Sequence, residues 1–405
     1  MENSKRIWII NQYVTRYEDS GGSRHLDFAT EWVKKGYEVH IFASGFHYNE
    51  YKEKILDDSQ NYKTEIINGV NVHWVRVYPY SSNNYKRFIS MYSFYKNVKD
   101  YIYSSSLKKP DIVIGSSVHL LAVLAAYNVS KKFNSKFIVE IRDLWPETLV
   151  RLGKISKYHP IYLGFHFLEK FLYKRADNIV SLLCGAHKYI NKYTNTKVEC
   201  IPNAFDINKL DNFLNKNSNN EKFTVMYLGT VGIANSVDTL LNAAIELKNK
   251  DIIFKIIGSG VAKKELEKYK AVNNIDNLIF EDPIPKSKVL EKLTQADILW
   301  TGMPNSKELY EYGLSSNKIY DYMAVKRPII ISTPLESNII KDAKCGISVD
   351  AENSKELSKA IETLYNMDSK SREKLSNNGF DYLMDNFTIQ KLSNSWYKIF
   401  GCKND

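Results

Sequence analysis

The sequence predicts an α/β protein built from two doubly wound, Rossmann-like domains. Short β-branched runs alternate with longer helical segments, as in parallel sheets covered by helices. The alternation restarts after a polar, Asn- and Lys-rich stretch at residues 209–221. We predict domains at residues 1–200 and 201–384, and a C-terminal helix at 385–405 that packs back on the first. Ligands bind beyond the carboxyl ends of strands in such sheets, so two facing domains would enclose a cleft.

Each predicted strand is a short apolar run between polar segments. In the first domain the strands are residues 7–10, 38–43, 71–77, 111–115, 136–141 and 178–182. In the second they are residues 223–228, 252–257, 278–280, 298–301, 328–332 and 346–349. Helices are predicted between strands, for example over residues 23–35 and 120–133. Trp396, Tyr397 and Phe400 recur at helical spacing and predict the closing helix.

The composition is that of a folded protein, with 44% hydrophobic and 25% charged residues. No run reaches the roughly 18 apolar residues that a membrane-spanning helix needs, and no secretory signal is apparent at the start. The cysteines form no Cys-x-x-Cys pair, so we expect neither a disulfide framework nor a zinc site; they are Cys184, Cys200, Cys345 and Cys402. A cytoplasmic location is the resulting expectation.

The positive charge is concentrated in the first half of the chain. Residues 1–200 hold 29 Lys and Arg against 19 Asp and Glu, whereas residues 201–405 hold 27 of each. This excess indicates an anionic partner, such as a membrane surface, a phosphorylated ligand or nucleic acid. A generally basic composition without such a partner is the alternative.

Residues 78–109 combine aromatic side chains with many cations and a single acid. The cations include Lys86, Arg87, Lys96 and Lys99. Written as a helix, the stretch places these apolar residues on one stripe: Phe88, Tyr92, Tyr95 and Ile102. Such a helix suits the headgroup level of an anionic membrane. Alternatively, the stripe packs on the sheet and the lysines are solvated.

Glycines follow several predicted strands. Gly21-Gly22-Ser23 opens a helix after the first strand. In the second domain, two neighbouring strands end in turns that contain Gly229, Thr230, Gly232, Gly258 and Ser259. Glycines let a backbone approach a ligand closely, and a helix N-terminus offers free amides to a phosphate. Tight turns without a ligand are the alternative. The absence of a full Gly-x-Gly-x-x-Gly motif argues against a nicotinamide-dependent dehydrogenase.

A lysine opens a predicted helix in the second domain. Ser316 and Asn317 precede Lys318 at the helix start, where a cation is unfavourable unless an anion docks on the same amides. Asp321 lies one turn later on the same face and could accept hydrogen bonds from sugar hydroxyls. A solvated pair of Lys318 and Asp321 is the alternative.

Charged residues also cluster at one strand end of the first domain. Glu140, Arg142, Asp143 and Glu147 lie there, and we expect them in the cleft rather than the core. Arg142 and Asp143 are candidate catalytic residues. His119, after the preceding strand, is a secondary candidate, although such a histidine is more often structural. No metal-ligand motif appears, so we expect no metal.

Taken in order, these motifs resemble the family 4 retaining glycosyltransferases of the GT-B fold. The resemblance is strongest to the bacterial branch that contains the N-acetyl-L-fucosamine transferase of O-antigen synthesis. The matching segments are Gly21-Gly22, residues 142–146, 201–203, 227–232, 258–260 and 316–323. The resemblance implies transfer from a UDP-sugar with retained configuration and without a metal.

The resemblance also implies roles for individual residues. Ser316, Asn317 and Lys318 would hold the diphosphate, Asp321 the ribose, and Gly22 would approach the donor phosphate. The loop containing Pro283 and Ile284 would hold the base through its backbone.

The chain departs from the family pattern at several positions. Gly313 stands where the family has its first glutamate, and Thr230 and Asn235 replace an Arg and a Lys. Arg142 stands where many members have a histidine. Neutralisation of the diphosphate is therefore expected to depend more heavily on Lys318, on helix amides and on the basic first domain.

We therefore expect an enzyme of bacterial O-antigen or capsule synthesis. It would move an N-acetylated hexose from a UDP-sugar to a polyprenyl-diphosphate-linked saccharide at the inner face of the membrane. No cofactor and no nucleic acid partner are expected. Two alternatives stay open: an isomerase resembling UDP-N-acetylhexosamine 2-epimerase, and a non-catalytic partner subunit that binds nucleotide sugar.

Overall fold

The computed structural model describes residues 5–19, 21–82, 84–117, 119–212, 221–314 and 316–401. The chain divides into two compact units. Unit 1 comprises Met1–Asn203, Glu311–Ser315 and Ile389–Asp405, and unit 2 comprises Ala204–Tyr310 and Ser316–Thr388. Unit 2 therefore interrupts unit 1 in the sequence. Part of the polar stretch predicted at residues 209–221, namely 213–220, lies outside the described residues.

Unit 1 is built on a sheet that has eight strands within the described residues, in the order β10-β9-β8-β7-β1-β2-β6-β5. The strands of unit 1 are β1 (Arg6–Ile10), β2 (Glu38–Ser44), β3 (Phe46–His47), β4 (Lys52–Glu53), β5 (Tyr62–Ile67), β6 (Val70–Val75), β7 (Ile112–Ser117), β8 (Lys136–Ile141), β9 (Asn178–Ser181) and β10 (Val198–Cys200). All neighbours in the sheet are parallel except β5 and β6, and β3 pairs with β4 separately. The winding direction reverses between β1 and β7, and the carboxyl ends of such strands are where ligands bind in open sheets.

Unit 2 contains a parallel sheet of six strands within the described residues, in the order β13-β12-β11-β14-β15-β16. The strands are β11 (Phe223–Leu228), β12 (Ile252–Ile257), β13 (Leu278–Glu281), β14 (Ile298–Gly302), β15 (Ile329–Thr333) and β16 (Gly346–Asp350). Here the winding reverses between β11 and β14. Both sheets are doubly wound, so the predicted fold class is confirmed.

Helices cover these sheets. Unit 1 contains α1 (Arg24–Lys34), α2 (Tyr85–Ser104), α3 (Leu120–Phe133), α4 (Glu147–Arg151), α5 (Pro160–Arg175) and α6 (His187–Ile190). Unit 2 contains α7 (Asp238–Glu246), α8 (Lys263–Val272), α9 (Val289–Leu293), α10 (Asn317–Ala324), α11 (Ile339–Ala343), α12 (Ser354–Asn366) and α13 (Ser369–Asn386). The last helix, α14 (Ile389–Phe400), belongs to unit 1. In the described parts of the chain, no helix is both long enough and apolar enough to cross a bilayer.

The cores explain why the strands form where they do. Strands covered on both faces need continuous apolar runs. The run Ile7-Trp8-Ile9-Ile10 of β1 is wholly buried, as are Val225, Met226 and Tyr227 of β11. Every predicted strand is present with its ends shifted by at most a few residues.

The strands that the sequence did not predict lack this apolar signal. Strand β5 is an antiparallel edge strand whose side chains are mostly exposed, and β10 has only three residues. Strands β3 and β4 have two residues each.

Helix α14 completes the core of unit 1. The ring of Trp396 lies 5.3 Å from that of Trp32, and the ring of Phe400 lies 4.9 Å from Trp32. Lys5 Nζ and Lys136 Nζ donate to the Phe400 and Ile399 carbonyls at 2.8 and 2.5 Å, where the helix dipole favours cations.

The predicted start of this closing helix is wrong. Residues 387–388 leave the helical conformation because they pair with Phe205: the Phe205 amide donates to the Phe387 carbonyl at 2.8 Å, and Phe205 forms a parallel bridge with Thr388. The helix therefore begins at Ile389 rather than at residue 385.

The sequence indicated no disulfide framework, yet the structure contains a disulfide bond. Cys184 and Cys200 are joined, with their Cα atoms 4.9 Å apart, which is within the usual range. The parallel pairing of β9 with β10 brings the end of β10 beside the turn that follows β9. No local sequence spacing signals this pairing. Cys345 is buried and not disulfide-bonded.

Candidate active site

The residues predicted to bind a phosphate group meet at the carboxyl end of the unit 2 sheet. Helix α10 begins at Asn317, and Lys318 is its second residue. The preceding residue, Ser316, makes no side-chain hydrogen bond to the first turn. The first-turn amides of α10 are therefore not capped by Ser316, and such amides are suited to an anion.

The Lys318 side chain reaches back to the loop that follows β11. Its Nζ lies 2.5 Å from Asn235 Oδ1 and 3.2 Å from the Tyr227 hydroxyl oxygen. It also lies 4.7 Å from the centre of the Tyr227 ring. Lys318 thus contacts the glycine-containing turn predicted from the sequence.

Asn235 and Tyr227, the two hydrogen-bond partners of Lys318, also donate to the same backbone carbonyl. The Thr230 carbonyl accepts from the Tyr227 hydroxyl at 2.6 Å and from Asn235 Nδ2 at 3.0 Å. The hydrogen bonds therefore close a circuit of four residues, which we call the lysine ring: Lys318, Asn235, Thr230 and Tyr227. A backbone carbonyl has two lone pairs, so this arrangement uses both.

The lysine ring contains no anion. Among the residues that the structure describes, no carboxylate lies within ion-pair distance of Lys318 Nζ. Burial among neutral groups disfavours the ammonium form and lowers the pKa of Lys318 to about 7. A bound phosphate would supply the missing negative charge and favour the protonated form.

The alternative interpretation of a solvated Lys318–Asp321 pair is wrong. Asp321 Oδ2 instead lies 3.3 Å from Lys286 Nζ. Lys286 follows the loop that contains Asp282, Pro283 and Ile284, in which Asp282 is almost fully exposed. The residues proposed to bind base and ribose are therefore connected by this ion pair.

The glycines of this site have different roles. An added Cβ at Gly229 would come within 3.0 Å of Lys318 Cδ. An added Cβ at Gly258 would lie 1.9 Å from the Gly229 carbonyl oxygen, and one at Gly260 would lie 2.1 Å from that of Val231. The tight-turn interpretation therefore holds for Gly258 and Gly260, because they allow the two loops to pack.

The neighbouring residues of these loops are accessible. The Val231 amide donates to the Ser259 carbonyl at 2.9 Å, so Ser259 joins the loops through its backbone. Thr230 and the Ser259 side chain are exposed, and Gly232 is half-buried.

In unit 1, Arg142 and Asp143 follow strand β8. The Arg142 amide donates to Ser117 Oγ at 3.3 Å. In the described part of the chain, its guanidinium has no ion-pair or hydrogen-bond partner. Asp143 is exposed, and its Oδ1 accepts from Thr148 Oγ1 at 2.7 Å.

Glu140 and Glu147, expected in the cleft, are instead in the interior. Glu140 accepts from Arg24 at 3.0 Å and Ser116 at 2.7 Å, and its Oε2 lies 2.6 Å from His25 Nε2. Burial alone would raise the pKa of Glu140, but the charges of His25 and Arg24 hold it well below its usual range. Arg24 also donates to the Ile201 carbonyl at 2.8 Å. Glu140 therefore has a structural role in unit 1.

His119 is wholly buried, at the N-cap of α3. Its Nδ1 accepts from the Ala122 amide at 3.2 Å, and its Nε2 donates to Gln12 Oε1 at 2.7 Å. Burial, with a contribution from the Arg87 charge, lowers its pKa to about 3. Because both ring nitrogens are engaged, the structure favours a structural role for His119 over proton transfer.

Gly22 lies just before helix α1. Its neighbour Gly21 has φ +149°, and an added Cβ there would lie 2.7 Å from Thr15 Oγ1. The Ser23 hydroxyl donates to Asp27 Oδ2 at 2.6 Å and does not cap the helix. The loop that was predicted to approach a phosphate therefore precedes a helix start without a side-chain cap.

The sequence did not predict the side chains that hydrogen-bond to Lys318 and Asp321. Lys318 contacts Asn235 and Tyr227, which lie 83 and 91 positions away in the sequence. Lys286 lies 35 positions before Asp321. Asn235 stood out only as a departure from the family pattern, and Tyr227 only as the first residue of a matching segment, without a predicted role. Nothing in the sequence singled out Lys286.

Both halves of the chain match glycosyltransferase family models. Residues 20–209 match the model described as Glycosyltransferase Family 4, and residues 208–382 match Glycosyl transferases group 1. The chain belongs to the glycosyltransferases. Both matches agree with the predicted family.

Two curated proteins are similar to this glycosyltransferase. The probable glycosyltransferase WbjE of Pseudomonas aeruginosa is 21% identical over 236 residues, which span 56% of this chain and 58% of that protein. The putative colanic acid biosynthesis glycosyl transferase WcaI of Escherichia coli K12 is 22% identical over 65% of this chain and 68% of its own length.

The fold of this glycosyltransferase is shared with solved structures. HepE of Anabaena, crystallised with UDP-glucose, superposes with a TM-score of 0.68 at 11% identity, covering 98% of this chain and 99% of that one. At this identity the similarity concerns the GT-B fold.

Proposed function

We propose that this glycosyltransferase transfers a sugar from a UDP-sugar, without a metal and with retained configuration, to a lipid-linked saccharide in bacterial surface-polysaccharide synthesis. An N-acetylated hexose is the proposed sugar, and the N-acetyl-L-fucosamine transferase branch is the proposed relationship. Support for the donor comes from the UDP-glucose complex of a structural neighbour. Support for the pathway comes from a relative named for colanic acid biosynthesis.

The observation that carries this proposal is the position of Lys318. Among the described residues, this partly buried lysine has no carboxylate partner, and it lies beside Gly229 at a helix N-terminus that the Ser316 side chain does not cap. A diphosphate would supply the charge that Lys318 lacks and accept hydrogen bonds from the first-turn amides. Asp321 would accept hydrogen bonds from the ribose, and the loop containing Pro283 and Ile284 would contact the base.

The proposed chemistry needs stabilisation of a leaving diphosphate. The bond between the anomeric carbon and the β-phosphate oxygen breaks, and its electron pair stays on UDP. The acceptor hydroxyl forms the new bond on the same face of the sugar and passes its proton to the departing phosphate. Lys318 and the amides of α10 would stabilise the developing charge, usually the largest contribution of a protein to such a step. No separate base is required.

On unit 1 we assign Arg142 and Asp143 to the acceptor. The Arg142 guanidinium has no ion-pair or hydrogen-bond partner among the described residues, and it would suit the phosphate groups of a polyprenyl-diphosphate-linked saccharide. Asp143 is exposed and could accept hydrogen bonds from acceptor hydroxyls. Gly22 remains the proposed point of approach to the donor phosphate.

We further propose that α2 contacts an anionic membrane at the inner face of the cell membrane. Its outward face carries Tyr85 and Tyr92, which are 69% and 60% exposed, together with Ile89 and the exposed Lys96. Lys132 of α3 lies over the ring of Tyr103 at 3.7 Å and extends this basic, aromatic face. Such a surface combines buried apolar area with attraction to anionic lipids.

Two of the residues predicted for this surface are engaged elsewhere. Arg87 lies 5.7 Å from the centre of the Tyr13 ring, and Ile102 is buried in the core. Lys86 and Lys99 are half-buried, and Lys99 Nζ donates to the Tyr95 hydroxyl at 2.9 Å. The membrane face is therefore centred on Tyr85, Ile89, Tyr92 and Lys96 rather than on the predicted stripe.

The double variant Tyr92→Ser/Lys96→Gln is expected to weaken binding to phosphatidylglycerol vesicles roughly tenfold, because it removes apolar contact area and one cation. Vesicle co-sedimentation measures the loss. Tyr158→Ser, which changes a tyrosine that is 88% exposed outside α2, is the control and should bind like the unmodified protein. Equal binding by all three proteins would exclude this face from membrane contact.

A thermal-shift panel of UDP, GDP, ADP and dTDP tests the proposed donor. UDP is expected to raise the melting temperature selectively, with or without EDTA, because a ligand that binds only the folded state stabilises it. A rise in melting temperature with GDP alone would indicate a GDP-sugar as the donor. Loss of the UDP-induced rise in EDTA would contradict metal-independent binding. Consumption of a UDP-sugar without an acceptor would instead favour the isomerase, and nucleotide binding without any transfer would favour the non-catalytic subunit.

A further inference from the structure

We propose that Asn235 and Tyr227 are positioning residues that direct Lys318 toward the diphosphate and keep it free of a counter-ion. The proposal rests on the donor site described under the proposed function. It assigns a role to the position where the family pattern has a cation but this chain has a neutral amide.

The hydrogen bonds of the lysine ring fix Lys318 from two directions. A lysine ammonium has three N–H donors. Asn235 Oδ1 accepts one and the Tyr227 hydroxyl oxygen accepts another, at 2.5 and 3.2 Å. The third donor has no partner among the described residues, so it is available to a ligand oxygen. Two fixed donors thereby orient the third.

Asn235 and Tyr227 are themselves held by the protein. Asn235 Nδ2 and the Tyr227 hydroxyl both donate to the Thr230 carbonyl, so each partner has its donor committed and presents an oxygen to Lys318. The Tyr227 ring is buried and lies 5.6 Å from that of Trp300. The amide orientation at Asn235 is the one that this network requires, because its donor faces the Thr230 carbonyl.

A neutral residue at position 235 suits this role better than a charged one. An aspartate there would form an ion pair with Lys318 and compete with the diphosphate for the ammonium. A lysine there would repel Lys318 while the site is empty. Asparagine offers an acceptor without a charge, so it does not neutralise the ammonium form of Lys318 that the ligand would bind.

The surroundings of Lys318 predict how this site responds to pH. Among the described residues, the titratable groups on β11 and on its own helix are Tyr227, Tyr320, Asp321 and Tyr322. Asp321 is paired with Lys286, and Tyr320 packs against Phe387. Burial raises the pKa values of Tyr227 and Tyr322, which therefore stay neutral. Lys318 then controls the titration between pH 7 and 9: its proton is lost as pH rises above about 7, and UDP affinity falls with it.

The test compares UDP affinity of five proteins by calorimetry in EDTA between pH 7 and 9: the unmodified protein, Asn235→Asp, Tyr227→Phe, Lys318→Ala and a control variant. For the unmodified protein, affinity should fall with rising pH, by up to roughly tenfold per unit. Asn235→Asp should bind at least about tenfold more weakly at pH 7 and lose this pH dependence, because the carboxylate keeps Lys318 protonated. Tyr227→Phe should bind roughly five- to tenfold more weakly, because it removes one partner of Lys318.

Asn242→Asp is the matched control. It places the same charge on unit 2 at a residue whose Oδ1 accepts from Tyr269 instead. It should retain the affinity and pH profile of the unmodified protein. The melting temperature of each protein without ligand reports on folding.

The possible outcomes separate this inference from the proposed function. If Lys318→Ala loses UDP binding but Asn235→Asp and Tyr227→Phe keep unmodified affinity and pH dependence, the donor site stands and the positioning role is wrong. If the unmodified protein does not bind UDP, the proposed function fails and this inference fails with it. If Asn235→Asp does not fold, Tyr227→Phe decides. A UDP affinity of Tyr227→Phe equal to that of the unmodified protein would then overturn the proposal.

Discussion

Replacing Lys318 with alanine is expected to lower turnover by on the order of a hundredfold or more, with a parallel loss of UDP affinity. The change removes a cation that lies beside Gly229 and has no carboxylate partner in the part of the chain that the structure describes. In a partly buried site, a charge that stabilises a developing anion contributes far more than it would in water. Calorimetry with UDP and single-turnover transfer to a lipid-linked acceptor measure the two effects.

Two further variants control for general effects of losing a lysine. Lys307→Ala removes a lysine of unit 2 whose side chain is 68% exposed and pairs with Glu336 at the surface. It should behave like the unmodified protein. Lys318→Met keeps the length of the side chain without the charge and should be as defective as the alanine variant. Turnover of Lys318→Ala like that of the unmodified protein would remove Lys318 from the mechanism.

Replacing Trp396 with alanine is expected to destabilise unit 1 by about 3–5 kcal/mol, the usual cost of deleting a large aromatic side chain from a core. Trp396 is 1% exposed and packs against Trp32, Phe28 and Phe400. The melting temperature of unit 1 should fall by roughly 10 °C. Differential scanning calorimetry measures this shift.

Trp396→Phe is the informative companion of this variant. The indole N–H of Trp396 is buried and has no hydrogen-bond partner among the described residues, so phenylalanine removes that unsatisfied donor while keeping an aromatic ring. Its loss of stability should be less than half that of the alanine variant. Equal stability of Trp396→Ala and the unmodified protein would show that α14 contributes little to unit 1.

The sequence predicted the strands well because buried parallel strands need continuous apolar runs. Strand β1, with Trp8 at its centre, is an example. It did not predict β5, whose pairing with β6 leaves Lys63 and Thr64 exposed at a sheet edge without an apolar signal. The break before α14 was also missed, because it depends on a contact with Phe205 that is distant in sequence.

In the candidate site, too, the residue with a local sequence signal could be predicted, and the residues that distant contacts bring to it could not. Lys318 could be predicted because a cation at a helix N-terminus is locally unfavourable and implies an anion. Its partners could not, because an amide at position 235 and a phenol at position 227 have no local signature. For His119 the local signal was misleading. Its position after a strand indicated the cleft, whereas burial and two hydrogen bonds place it in the interior.

The assignment of α14 to unit 1 has a consequence for biosynthesis. Trp396 and Phe400 emerge from the ribosome only after the whole of unit 2 has been translated. Domains generally fold as units during synthesis, in order from the N-terminus. Most of unit 1 is made first, and its Trp32 and Phe28 lack their contacts with Trp396 until α14 has been translated. The nascent chain therefore presents an incomplete apolar surface on unit 1 throughout the translation of unit 2, a natural binding site for a chaperone.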